Sequence, residues 1–125
     1  MRLLLDTHLY IWVLMNNRKL GRVARKLILE ADEVFVSAVS IWEASIKAGL
    51  GKLDVDVDLL VSEIHASGFI ELPVRAAHAA AVRRLPEIHR DPFDRLLIAQ
   101  AMTEPLRFIT SDANLAAYSE LVVTV

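Results

Sequence analysis

Four acidic residues stand where the local pattern of the chain gives them chemistry to do: Asp6, Glu43, Asp94 and Asp112. Asp6 ends a short apolar run in RLLLDTHLYIW (2–12), and Asp112 follows another in RFITSD (107–112). Glu43 lies about one turn into the helical segment of VFVSAVSIWEASIK (34–47), and Asp94 opens the helical segment that precedes the run ending at Ile109. In open parallel sheets functional groups gather beyond the carboxyl ends of the strands, so acids there weigh more than the rest of the sixteen Asp and Glu. Four carboxylates drawn to one sheet edge would repel one another and raise one another's pKa unless a cation lay among them. All-oxygen ligation suits Mg²⁺ or Mn²⁺, and the lack of a His or Cys ligand set argues against zinc.

Each acid also has a structural account. Asp is a favoured helix N-cap, and Asp6 and Asp112 both stand before helical segments. Ser40 and Glu43 have the spacing of a capping box. Asp91 and Pro92 read as an N-cap followed by proline at the first helical position, which would leave Asp94 to complement the helix dipole. Against this, Glu43 borders the stripe of Val39, Trp42 and Ile46, where a carboxylate needs a partner. Asp94 has Leu97 and Ile98 three and four residues on, on the face that the apolar run 96–99 must bury. Asp91 is assigned to capping, while one shared metal site accounts for the other four acids more economically than four separate caps.

The elements that must position these acids are short apolar runs alternating with longer segments of helical period, the pattern of βαβ units. Strands are expected at 3–5, 34–36, 69–72, 108–109 and 121–123, the third ended by Pro73. Leu20, Val23, Ala24, Leu27, Ile28 and Ala31 recur at helical spacing with Arg22, Arg25 and Lys26 outward. Val57, Leu60, Val61 and Ile64 mark another helix, closed by Gly68. Segments 38–49 and 92–103 are helical in pattern, and 113–118 reads as a short turn of helix. The fold class is an α/β sandwich, with residues 1–125 as a single domain free of repeats and low-complexity stretches.

Composition narrows the function further. Hydrophobic residues make up 54% of the 125, enough for a core that needs no disulfide or structural metal. Cysteine is absent, which removes disulfides, thiolate sites and cysteine nucleophiles, and a cytoplasmic location is expected. The apolar run at 3–5 is broken by Asp6, so neither a signal peptide nor a membrane span is expected. A net charge of −2 does not mark a uniformly basic nucleic-acid binder. The positive charge is nevertheless clustered, at Arg18–Lys26 and again at Arg83, Arg84, His89, Arg90 and Arg95.

Taken together, Asp6 with Thr7, then Glu43, then HRDPFDRLLIAQA (89–101) around Asp94, then Thr110, Ser111 and Asp112 resemble the PIN domain family. The DTHLYIW opening and the DPFDRLLIAQA segment resemble its VapC-type toxins of toxin–antitoxin systems in particular, and the likeness runs over essentially the whole chain. The resemblance implies a three-layer α/β/α sandwich with a five-stranded, mostly parallel sheet. It implies an endoribonuclease that needs Mg²⁺ or Mn²⁺ and cleaves RNA phosphodiester bonds by metal-activated water, inhibited by a cognate antitoxin and assembled as a homodimer. Asp6, Glu43, Asp94 and Asp112 would be its catalytic, metal-binding acids, with Thr7 and Ser111 supporting them. A catalytically weak PIN-like binding module in a toxin–antitoxin complex is the alternative.

The chemistry of phosphodiester hydrolysis fits this donor set, because metals can activate water, hold the phosphate and stabilise the leaving oxygen. No His is placed as an obvious base, and His8 and His89 are assigned to solvent or capping. Lys47, Arg90 and Arg95 are the basic residues nearest the acids and the candidates for RNA contact. Trp12 and Trp42 fall at helical spacing among apolar neighbours, so core or dimer packing is expected ahead of base stacking. Receiver-like domains and haloacid-dehalogenase-like phosphatases are disfavoured: Asp6 is followed by Thr7 and His8, not by a second acid, and the chain ends without a lysine after its last strand.

Overall fold

A computed structural model describes residues 1–125. Its elements run β1 (Arg2–Leu5), α1 (Thr7–Leu14), α2 (Arg22–Glu30), β2 (Glu33–Ser37), α3 (Ala38–Gly49), α4 (Val57–Ala66), β3 (Ile70–Leu72), α5 (Ala76–Ala81), α6 (Pro92–Thr103), β4 (Arg107–Thr110) and β5 (Val122–Thr124). Short 3₁₀ helices occupy Val82–Arg84 and Ala113–Tyr118. The five strands form one fully parallel sheet in the order β3-β2-β1-β4-β5. Parallel strands need crossover connections, and every connection here except β4 to β5 carries α-helices.

Strand alternation divides the core into two layers. Leu4 of β1, Phe35 of β2 and Phe108 of β4 point into one cluster with Leu97, Ile98 and Ala101 of α6. Leu3 and Leu5, Val34 and Val36, and Ile109 point into the other, against Leu9 and Tyr10 of α1, Ala24 of α2, and Leu60 and Ile64 of α4. This is a three-layer sandwich. Tyr10 is fully buried, and its hydroxyl donates to the Leu60 carbonyl at 2.6 Å, which removes the cost of an orphaned polar group. α3 contributes Val39 to one cluster and Ala44 to the other, and it packs against α1, α4 and α6. It is the element that joins the two layers above the sheet edge.

Helices α3 and α6 begin and end where the apolar pattern places them, and Gly68, at φ +81°, follows α4 in the left-handed conformation suited to a helix end. Strand ends differ by one or two residues: β3 starts at Ile70, β4 runs on to Thr110, and β5 is Val122–Thr124. α2 starts at Arg22, after Gly21 as N-cap, leaving Leu20 outside. α5 and the following 3₁₀ turn were not expected, because AAHAAA offers no contrast between faces. Trp42 is 53% exposed, so of the two placements expected for it, core or dimer surface, the core is excluded, although its ring meets Phe93 edge to face at 4.9 Å. No helix is long and apolar enough to cross a membrane.

The order of the strands puts a topological switch between β1 and β4, since the chain winds outward from there in both directions. Leu4 sits at that centre with no exposed surface. Leu4→Ala should cost about 2–5 kcal/mol, from lost transfer energy and the cavity left behind. Urea denaturation at constant m-value checks this.

Candidate metal centre

Asp6 leaves the sheet at the end of β1, where its amide still donates to the Ile109 carbonyl at 2.9 Å and so holds it beside β4. It is the N-cap of α1, and one carboxylate oxygen accepts from the Thr7 amide at 2.7 Å. The other accepts from Thr110 Oγ1 at 2.6 Å. The Thr110 hydroxyl in turn accepts from the Asp112 amide at 3.1 Å, tying the loop after β4 to the same point. Burial raises the Asp6 pKa above the usual carboxylate range and the Glu43 charge adds to this, while the Thr110 and Thr7 hydrogen bonds and His8 act the other way.

Glu43 is one of the most thoroughly buried acids, its side chain 4% exposed. Its capping-box reading is overturned: α3 starts a turn earlier, with Ser37 as N-cap accepting from the Val39 amide at 3.0 Å. Ser40 is therefore inside the helix, where its hydroxyl accepts from Thr7 Oγ1 at 2.9 Å. Lys47, one turn on, donates to Glu43 Oε2 at 2.5 Å. Glu43 Oε1 is buried with no hydrogen-bond partner, a costly condition for a carboxylate oxygen.

Asp94 sits in the first turn of α6, after Pro92 and an N-cap by Asp91, whose Oδ1 accepts from the amides of Phe93 and Asp94 at 2.8 and 3.2 Å. Burial first, then the charges of Asp6, Asp91, Glu43 and Asp112, push the Asp94 pKa up to about 8. Asp112 is the N-cap of the 3₁₀ helix at Ala113–Tyr118, its Oδ1 accepting from the Asn114 amide at 3.0 Å. Ligand atoms of Asp94, Asp112 and His89 all lie within 4.8 Å of one another, with His89 Nε2 3.2 Å from Asp94 Oδ2.

The four acids named from the sequence thus meet at one edge, close enough that Asp94 feels the charges of the other three. The supporting residues are redistributed. Thr7 orients Asp6 through its backbone amide and gives its hydroxyl to Ser40, whereas Ser111 is exposed and the hydroxyl on Asp6 belongs to Thr110. Arg95 is tied down inside the fold, donating to the carbonyls of Pro86, Val82 and His89 and to the Tyr118 hydroxyl. Lys47 is committed to Glu43, and Arg90 is exposed. His89, assigned to solvent or capping from the sequence, is partly exposed but lies against Asp94, its Nε2 3.2 Å from Asp94 Oδ2. Its neighbours in sequence gave no sign of this, although its place five residues before Asp94 did put it within reach of that acid.

The residues fit a divalent cation. The donors are almost all hard oxygens, one buried oxygen lacks a partner, and the carboxylates hold protons more tightly than they would beside a positive charge. Such an arrangement defines a parallel α/β/α domain with a cluster of acidic residues at its topological switch. A model of the PIN domain matches residues 3–121, and the chain belongs to the PIN domain family.

Ribonuclease VapC22 of Mycobacterium tuberculosis is 27% identical over 117 residues, covering 92% of this chain and 90% of that protein. Among solved structures, VapBC2 from Rickettsia felis bound to a DNA fragment from its promoter superposes with a TM-score of 0.71 at 15% identity, over 98% of this chain and 96% of that one. FitAcB from Neisseria gonorrhoeae gives 0.67 at 20% identity, over 98% and 96%. A toxin–antitoxin complex from Klebsiella pneumoniae gives 0.65 at 20%, over 97% and 95%. At these identities the structures establish likeness of fold.

The raised Asp94 pKa predicts how the cation-free protein responds to pH. The folded state keeps this proton up to about pH 8, whereas the unfolded chain releases it near the ordinary Asp value, so stability falls as pH rises between the two. Asp94→Asn removes that contribution and should stabilise the protein in EDTA at pH 7.5 by on the order of 1–2 kcal/mol, with little change at pH 4. Denaturation curves at the two pH values measure the difference.

Proposed function

We propose that the chain is a divalent-cation-dependent endoribonuclease toxin of the VapC type, restrained by a cognate antitoxin. The observation that carries the chemical part is the buried, unpartnered Oε1 of Glu43 beside Asp6 and Asp94, two acids that burial and mutual repulsion leave short of positive charge. Asp6, Glu43, Asp94 and Asp112 would hold Mg²⁺ or Mn²⁺. When bound, the cation supplies Lewis acidity, an acidified water and a counter-charge for the phosphodiester.

The chain's own residues do the rest. Thr110 and the Thr7 amide fix both oxygens of Asp6, so its orientation is set before any ligand arrives. Lys47 holds Glu43 by one oxygen and leaves the other free. The Lys47 ammonium is kept charged well into alkaline pH, chiefly by its hydrogen bond to Glu43, and so places positive charge beside the acids where a phosphate would approach. Arg90, exposed on the loop before α6, is the basic residue free to contact the RNA backbone.

The toxin reading draws on the relatives. One is named a ribonuclease, one structure of like fold is a toxin–antitoxin complex, and another, VapBC2, is bound to a DNA fragment from its promoter. An antitoxin partner, homodimerisation and residence in the cytoplasm, where RNA is encountered, belong to this reading.

To test it, the protein free of any partner is incubated with structured RNAs, including transfer RNAs, in Mg²⁺, in Mn²⁺ and in EDTA. Cleavage is expected only with a divalent ion, and Asp6→Asn and Asp94→Asn should each lower it by a factor of about 100 or more. Cleavage that persists in EDTA, or intact RNA at every metal concentration, contradicts the proposal.

A further inference from the structure

His89 is not one of the acids, yet it is held in place as a functional side chain would be. It lies in the loop before α6, with its backbone amide donating to the Tyr118 hydroxyl at 2.7 Å. Its carbonyl accepts from the same hydroxyl at 3.2 Å and from Arg95 Nη1 at 3.4 Å. Tyr118 is itself 6% exposed. A loop residue that merely faced solvent would need no such anchoring of both backbone polar groups.

The anchors connect His89 to two of the acids. Tyr118 closes the 3₁₀ helix that Asp112 caps, and Arg95 directly follows Asp94. One network therefore sets the relative positions of His89, Asp94 and Asp112. Their ligand atoms lie within 4.8 Å of one another, close to the separations of about 3–4 Å that donors around a single divalent ion adopt when each lies near 2.1 Å from it. A plain imidazole–carboxylate pair between His89 and Asp94 would leave the second oxygen of Asp112 unused, because that carboxylate forms no ion pair and, as the cap of the 3₁₀ helix, accepts only from the Asn114 amide through Oδ1.

We propose that His89 is a cation ligand which, with Asp94 and Asp112, forms a second cation position at the outer rim of the centre, Asp94 being shared with the inner position bounded by Asp6 and Glu43. This rests on the metal dependence proposed above. Tyr118 and Arg95 are positioning residues for the imidazole. An imidazole donor favours Mn²⁺ over Mg²⁺, whose preference is for oxygen and retained water. The outer position therefore selects for transition metals, and the inner, all-oxygen position does not.

The test is Mn²⁺ binding to the full chain, without RNA, followed by calorimetry and by electron spin echo spectroscopy for a directly coordinated nitrogen. The wild type should show that nitrogen signal. His89→Gln should abolish it and weaken one class of Mn²⁺ sites about tenfold or more, with Mg²⁺ affinity nearly unchanged. Tyr118→Phe should weaken the same class to a smaller degree. Mn²⁺ bound by the wild type with no nitrogen coupling overturns the proposal without recourse to any variant, as does a nitrogen signal that survives in His89→Gln. A wild type that binds no Mn²⁺ at all overturns the metal dependence itself, an outcome distinct from either.

Discussion

Repulsion among carboxylates gathered in a poorly hydrated crevice is the constraint on which the rest of this structure turns. Left in water, Asp6, Glu43, Asp94 and Asp112 would stay apart; here the fold buries Asp94 and brings the other charges within range of it, and burial first and repulsion second make it take up a proton more readily. The sheet order creates the crevice, because β1 and β4 lie side by side while their outgoing connections diverge. α3 then carries Glu43 over the edge by packing on α1, α4 and α6 at once. Two large apolar layers supply the stability that such a charge cluster draws down.

Helix ends soften the repulsion. Asp6 caps α1 and Asp112 caps a 3₁₀ helix, each accepting from a backbone amide, and Asp94 lies in the first turn of α6 near the positive end of its dipole. Capping and ligation are therefore one arrangement, not rival accounts of these residues. A cap uses one carboxylate oxygen, and the remaining oxygen or its second lone pairs stay available to a cation. Glu43 is the exception, lying inside α3 without that help, and it is the acid to which the fold gives a lysine and whose second oxygen is left bare.

Much of this was legible in the chain. The acids were visible because each stands at a boundary that local pattern marks, such as the apolar run halted at Asp6 or the Asp91–Pro92 start of α6. What escaped depended on contacts distant in sequence or on a single residue of strand length. With β4 expected to stop at Ile109, Thr110 and Ser111 both read as loop hydroxyls and Ser111 was the one assigned to support the acids; the extension of β4 by one residue puts Thr110 in the ladder beside Asp6 and leaves Ser111 exposed. His89 is placed by Tyr118, twenty-nine residues away, and no local periodicity encodes that. The commitment of Arg95 to internal carbonyls is likewise invisible in a sequence where basic residues usually coat an outer face.

The claim at the centre is that this acidic edge exists to hold a divalent cation. Diffraction from Mn²⁺-soaked crystals of the partner-free protein, with anomalous differences collected at the manganese edge, tests it most directly. The account predicts a peak bounded by the carboxylates of Asp6, Glu43 and Asp94, with Glu43 Oε1 now among the ligands. A saturating soak that leaves this crevice without anomalous signal, and Glu43 Oε1 turned to a protein hydrogen-bond donor, would contradict it.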